Sequence, residues 1–237
     1  MCGVLAVRMP NVAERNLDQI RNLFLQSMVR GKHATGVTYY KNGELHTIKE
    51  PVPAIEFMNR HDPSTFVDEN GNVTLIGHTR YSTSDLEHNQ PFQGNGISIA
   101  HNGVISQDPE VWEYDTETRN DSELILRCIE NGDDPVEVYK KRSMSCVAIE
   151  MENGAPVLRA WRNHERPLWY FMKPQRVVFA STSDILSRSG FSTDQTRTNP
   201  LCKYTFAGIS VTANYIAGPV MHEDQTVCDH DLEDLQP

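Results

Sequence analysis

The sequence predicts an α+β fold, antiparallel sheets covered by helices, and three observations point there. Apolar runs of strand length outnumber helical patterns. Two Asn-Gly dipeptides, at 42–43 and 153–154, sit between strand-like runs where a tight hairpin turn fits. The strands also come in consecutive runs instead of alternating with helices, which disfavours βαβ units and a parallel sheet. No linker, low-complexity segment or internal repeat divides residues 1–237, so a single domain is expected, with an irregular tail after about residue 220.

In chain order, CGVLAVRM (2–9) is an apolar run that Pro10-Asn11 breaks. Leu17, Ile20, Phe24 and Met28 then recur at helical spacing, predicting a one-faced helix that stops near Arg30-Gly31. GVTYYKNGELHTIK reads as a β-hairpin, and a short helix follows Pro53. VTLIGHTRYST and ISIAHNGVIS are strands that each run into polar residues. NDSELILRCIENG is a helix ending at Gly132, and DDPVEVYKKR starts another with Pro135 in its first turn. SMSCVAIEME, PVLRAWRN, LWYFMKP and VVFASTS are strands, DILSRSG is a short helix, and FAGISVTANYIAG is a final strand pair.

Composition narrows the function. The chain has 38% hydrophobic and 23% charged residues, the balance of a globular protein with a core. Its net charge of −10 argues against nucleic-acid and membrane-surface binding. The ending HEDQTVCDHDLEDLQP carries much of that charge and reads as solvated. Five scattered cysteines (Cys2, Cys128, Cys146, Cys202, Cys228) form no C-x-x-C pair, neither a disulfide framework nor a zinc signature. With no signal sequence and no long apolar run, a reducing, cytoplasmic location is expected. Cys128 and Cys146 fall in apolar patterns and read as inert core. Trp112, Trp161 and Trp169 read as packing residues. His78, His88 and His101 lack a metal-site spacing, and His78 and His101 are expected in packed strand ends.

Cys2 has two readings. It is either the first buried residue of a strand or, once Met1 is removed, an N-terminal thiol beside a free α-amine. The amine titrates near about 8 and the thiol near about 8.5, so the amine can serve as the thiol's base. HTRYST (78–83), HNG (101–103) and NDSE (120–123) hold what such a nucleophile needs. Taken singly, each is a tight turn, a helix cap or a solvated strand end. Taken with Cys2, Asn102 offers a side-chain NH2 and Gly103 a backbone N–H to a tetrahedral oxyanion. Arg80 can fork onto an α-carboxylate, and Asp121 can accept from an α-ammonium.

In order, MCGVLAV, RGKHATGV, GHTRYST, NQPF, IAHNGVIS, NDSE and VFASTSDIL resemble the glutaminase domain of class II glutamine amidotransferases, which are N-terminal-nucleophile hydrolases. The resemblance covers about residues 2–190 and is nearer the amidophosphoribosyltransferase type than the glucosamine-phosphate synthase type. It implies a four-layer αββα sandwich of two antiparallel sheets. It implies Cys2 as nucleophile, Asn102 and Gly103 as oxyanion hole, and Arg80 and Asp121 as ligands of the glutamine carboxylate and amine. Arg30, from R-G-x-x-x-x-G, is implied near the site, and Tyr81 as a wall of the glutamine pocket. No metal or organic cofactor is required by this chemistry.

The sequence departs from the family pattern at His33 and Thr35 in the R-G segment, and at Ser84, where the sugar-phosphate branch has histidine. It also ends at Pro237, too soon for an appended synthetase or transferase domain. The expectation is therefore a free-standing glutaminase that hydrolyses L-glutamine through a Cys2 thioester and passes ammonia to a separate acceptor protein. Two other readings are a stand-alone γ-glutamyl amide hydrolase and a catalytically silent regulatory subunit.

Overall fold

A computed structural model describes residues 1–82, 86–192, 194–207 and 210–215. The expectations for Ser84, for Cys228 and for the tail beyond residue 220 fall outside them. The strands are β1 (Gly3–Met9), β2 (Ala34–Lys41), β3 (Glu44–Glu50), β4 (Val73–Arg80), β5 (Phe92–Gln93), β6 (Ile97–Val104), β7 (Ser143–Glu152), β8 (Ala155–Arg162), β9 (Trp169–Lys173), β10 (Arg176–Ala180), β11 (Gln195–Arg197), β12 (Cys202–Ala207) and β13 (Ser210–Tyr215). The helices are α1 (Glu14–Ser27), α2 (Ala54–Arg60), α3 (Glu123–Glu130), α4 (Pro135–Val138) and α5 (Ser183–Arg188). Seven strands form one sheet in the order β11-β9-β10-β1-β4-β2-β3, and six form the other in the order β13-β12-β8-β7-β6-β5. Every pairing is antiparallel.

Strand alternation sorts side chains into three cores. Leu5, Val7, Leu75 and Val178 point from the seven-stranded sheet to α1, α2 and α5, meeting Ile20, Phe24, Phe57 and Leu186. Val4, Ala6, Ile76 and Phe179 point the other way, onto Ala100, Val147, Leu158 and Phe206 of the six-stranded sheet. The far side of that sheet carries Ile99, Cys146, Ala148 and Trp161, covered by Leu124, Ile125 and Cys128 of α3 and Val136 of α4. The layers therefore run helix, sheet, sheet, helix, as the resemblance implied.

Asn42-Gly43 and Asn153-Gly154 make the expected hairpin turns, with φ of 54° and 85° and of 52° and 79°. Two expectations need correction. α1 ends at Ser27, because the chain turns through Arg30 N–H to Ser27 O and Gly31 N–H to Met28 O. The segment after Pro135 makes one helical turn only. Tyr139 drops into the core beneath α3, and Arg142 N–H to Tyr139 O reverses the chain into β7. β5 and β11 carried no sequence signal, since strands of two and three residues are too short to alternate. Among the described residues no helix is long and apolar enough to cross a membrane.

Candidate active site

The site lies where β1, β4 and β6 end together. Residues of even number in β1, β4 and β6 face the gap between the sheets, so Val4, Ile76 and Ala100 are core there. The same parity brings Cys2, Arg80 and Asn102 to the mouth of that gap. Gly3 pairs with Thr79 in register, which sets Cys2 beside Arg80. The Cys2 N–H donates to Asn102 Oδ1 at 3.0 Å, and the thiol points at Tyr81 O, 3.9 Å away. Asn102 is buried, and its Nδ2 has no hydrogen-bond partner among the described residues. Cys2 nitrogen is here an amide joined to Met1. Burial pushes the Cys2 thiol above its ordinary value, against the Tyr81 backbone, the N-terminal ammonium and the charges of Arg80 and Arg30.

A cleft of about 280 Å³ opens over Cys2, with Arg80, Tyr81, Gly103, Trp112, Arg119 and Asp121 in its walls. Arg80 is 7% exposed and held in place by Nη1 donating to His88 O (3.0 Å) and Asn89 Oδ1 (2.7 Å). Asp121 does not cap α3; its Oδ2 accepts from Ile105 N–H (2.6 Å) and Ser106 N–H (3.1 Å), tying β6 to the loop before the helix. Ser122 occupies the cap position and makes no capping bond. Ser122 Oγ instead lies 2.9 Å from His101 Nδ1 and accepts from Gln90 Nε2 at 2.9 Å, while Gln90 Oε1 accepts from His101 N–H at 2.6 Å. Glu123 accepts from Glu117 N–H, Thr118 N–H and Thr118 Oγ1, which anchors the cleft's outer loop.

The N-D-S-E run thus serves three joints in three successive residues, which is why a helix-cap reading fails there. Gln90, Ser122, Asn120 and Asn89 had no assigned roles in the sequence. NQPF was visible only as a motif, whereas its Asn89 holds Arg80 and its Gln90 holds His101. The two glycines of R-G-x-x-x-x-G are close-approach positions. A Cβ at Gly31 would lie 2.3 Å from Arg80 C, and one at Gly36 2.1 Å from Gln90 O. Arg30 Nε donates to Cys2 O at 3.3 Å. His33, a departure from the expected pattern, accepts from Ser82 N–H at 3.0 Å and packs against Tyr81 with its ring tilted by 30°, ring centroids 5.0 Å apart. It braces the half-exposed tyrosine that walls the cleft. Thr35 Oγ1 donates to Val52 O. The structure therefore brings all seven singled-out residues to the surroundings of Cys2.

Gly103 is required for packing as well as for access. A Cβ there would lie 1.9 Å from Ser143 O and 2.6 Å from His101 Nε2. Gly103→Ala is expected to force β6 from β7 and lower the unfolding free energy by about 3 kcal/mol in chemical denaturation.

His78 and His101 are buried, as expected for packed strand ends. Burial, with Arg80 and His101 nearby, pulls His78 down from 6.5 to about 3, so it is neutral in the fold. Burial also lowers His101, against the pull of Asp121. An imidazole lowered on folding binds a proton more readily in the unfolded chain, so its stabilisation is complete above pH 6.5 and is lost as pH falls toward about 3. Between pH 7 and pH 5 the loss from His78 alone is expected to be about 2 kcal/mol in urea unfolding. His78→Phe is expected to flatten that slope. Among the described residues no three His, Cys, Asp or Glu side chains gather as metal ligands.

No family model matches the chain. It is 28% identical over 159 residues to the amidophosphoribosyltransferase of Methanothermobacter thermautotrophicus, covering 61% of this chain and 33% of that one. It is 27% identical over 154 residues to the glutamine–fructose-6-phosphate aminotransferase (isomerizing) of Brucella abortus, covering 59% and 24%. The chain thus spans a third or less of the length of these curated relatives. In structure it matches the glutamine phosphoribosylpyrophosphate amidotransferase of B. subtilis, solved with ADP and GMP, at a TM-score of 0.69 and 18% identity, over 92% of this chain and 50% of that one. A glutamine aminotransferase class-II domain protein of Silicibacter pomeroyi matches at 0.56 and 14% identity, over 92% of this chain and all of that one. The chain is therefore similar in sequence, over about 60% of its length, to glutamine-dependent amidotransferases and shares the two-sheet fold of its structural neighbours.

Proposed function

We propose that this domain hydrolyses L-glutamine to glutamate and ammonia through a thioester on Cys2. The observation that carries the proposal is the pairing of Cys2 N with Asn102 Oδ1 beside an Asn102 Nδ2 that has no partner among the described residues. One side-chain amide thus orients the nucleophile's own nitrogen and keeps a donor in reserve for the oxyanion. With Met1 removed, that nitrogen is an amine that takes the thiol proton as Sγ attacks the γ-amide carbon. The proton passes to the leaving nitrogen, the C–N bond breaks and ammonia departs. Water then attacks the thioester, the C–S bond breaks, and glutamate leaves with the thiol restored. Arg80 and Asp121 hold the carboxylate and ammonium of the substrate, and Tyr81 and Arg30 close its sides.

Ammonia goes to an acceptor held by a separate protein. The described strands all belong to the two sheets that frame the Cys2 site. The test is glutamate release by protein whose N-terminal cysteine is confirmed by mass, followed by nitrogen transfer with proteins that co-purify. If processed protein releases no glutamate from glutamine, alone or with those proteins, the proposal is wrong.

A further inference from the structure

Gln90, His101 and Ser122 border the cleft over Cys2, are all buried, and take no part in the chemical steps above. Each stands next to a residue of the proposed site. His101 precedes Asn102 and Gly103, Ser122 follows Asp121, and Gln90 follows Asn89, which holds Arg80. The three are joined to one another by a closed set of hydrogen bonds.

The direction of every bond in that set follows from groups that have only one sense. The His101 backbone N–H can only donate, and it meets Gln90 Oε1 at 2.6 Å, so the Gln90 amide turns its Nε2 to Ser122. Nε2 can only donate in turn, and Ser122 Oγ accepts it at 2.9 Å. The Ser122 hydroxyl proton is left for His101 Nδ1, 2.9 Å away. Nδ1 is thereby an acceptor and the ring proton sits on Nε2, whose neighbour is the Ser143 carbonyl at 3.4 Å. Both ends of the set select the same neutral tautomer. Burial holds this imidazole below its ordinary value; nearby Asp121 favours its charged form, and Arg166 opposes it. His78 of β4 is close as well, and neutral.

The set spans the two ends of the proposed substrate. Asn102 and Gly103 meet the reacting amide, whereas Asp121 meets the ammonium and Arg80 the carboxylate. Asn120 Nδ2 donates to His88 O at 3.1 Å, the carbonyl that also accepts from Arg80 Nη1, so the carboxylate ligand is tied to the same loop as Asp121. We propose that Gln90, Ser122 and the Nε2–H tautomer of His101 are positioning residues, which fix Asp121 and Arg80 at one distance from the oxyanion donors so that bound glutamine presents its amide carbon to Cys2. The inference rests on the proposed Cys2 hydrolysis and deepens it. A substrate gripped at its amino-acid end reacts only if that span is right, and an error of about 1 Å can cost about a hundredfold in rate.

The test uses processed full-length protein with glutamine and with glutaramate, which is glutamine without its α-amine and so has nothing for Asp121 to hold. Ser122→Ala is expected to lower kcat on glutamine about tenfold and to bring the ratio of kcat/KM for glutamine over glutaramate toward one. Equal losses on both substrates would mark general damage and overturn the positioning role. Gln90→Glu keeps an acceptor for the His101 N–H but turns the donor facing Ser122 into a second acceptor. The Ser122 hydroxyl should then turn to the new carboxylate, and His101 must carry a proton on Nδ1 to meet Ser122 Oγ. Nitrogen-15 imidazole spectra are expected to show Nε2–H alone in the parent protein and a proton on Nδ1 in Gln90→Glu. A proton on Nδ1 in the parent, or no change in the variant, overturns the proposal. If Ser122→Ala does not fold, Gln90→Glu carries the kinetic comparison too. If the parent hydrolyses neither substrate, the Cys2 reading fails. Calorimetry then decides the positioning role: Ser122→Ala must weaken the preference for binding glutamine over glutaramate, and an unchanged or absent preference overturns it.

Discussion

Cys2→Ala is expected to slow glutamine hydrolysis by at least about a thousandfold, with no change in melting temperature. The stability half of that expectation follows from position. Cys2 precedes β1, and among the described residues its thiol makes one weak hydrogen bond, to Tyr81 O at 3.9 Å. The core begins at Val4, whose side chain is fully buried, so removing Sγ opens no cavity there. The kinetic half follows from the thiol's being the only proposed bond-forming atom. A protein that retains Met1 is expected to be comparably slow although its thiol is intact. Its Cys2 nitrogen is an amide that donates to Asn102 Oδ1 and cannot accept a proton. Burial then leaves the thiol harder to ionise than usual. Glutamate release by the two proteins, each verified by intact mass, makes the comparison. Full activity with Met1 in place would remove the α-amine from the mechanism while leaving the thiol in it.

The sequence was legible where local rules and tertiary demands agree. Asn42-Gly43 and Asn153-Gly154 fix φ without help from distant residues, so both hairpins could be read directly. The apolar faces of β1, β4 and β6 followed from alternation. The polar ends of β4 and β6 stood out because Arg80 and Asn102 interrupt that pattern. What could not be read were contacts between segments far apart in the chain. The closeness of Cys2 to Asn102 spans a hundred positions. The joint of Gln90, His101 and Ser122 is written in three motifs that do not mention each other. Asp121 looked like a helix cap because Asp before an apolar helix usually is one; only the path of β6 shows Ile105 and Ser106 taking its carboxylate instead. The end of α1 was misjudged for a related reason. Residues 28–31 keep a helical composition, but Gly31 must lie against the backbone of Arg80 and Tyr81, and the chain leaves the helix to reach them.

The second large effect is expected at Asn102. Asn102→Ala and Asn102→Asp should each lower kcat about a hundredfold to a thousandfold, with KM changed far less. The two variants separate the jobs of one side chain. Oδ1 accepts from Cys2 N, so it fixes the nucleophile, whereas Nδ2 is buried and has no partner among the described residues. An unsatisfied buried donor is costly to keep, and a transition-state oxyanion is the acceptor that would repay it at the moment of reaction. Asp keeps an acceptor for Cys2 N and loses the donor. Ala loses both. If the donor matters more, Asp should be no better than Ala, and its charge should make it worse beside an oxyanion. If positioning of Cys2 matters more, Asp should recover most of the activity. Arg80 and Asp121 are untouched in either variant, so binding of the amino-acid end should persist and KM should hold. A raised KM with unchanged kcat would instead assign Asn102 to ground-state binding and move the oxyanion hole elsewhere.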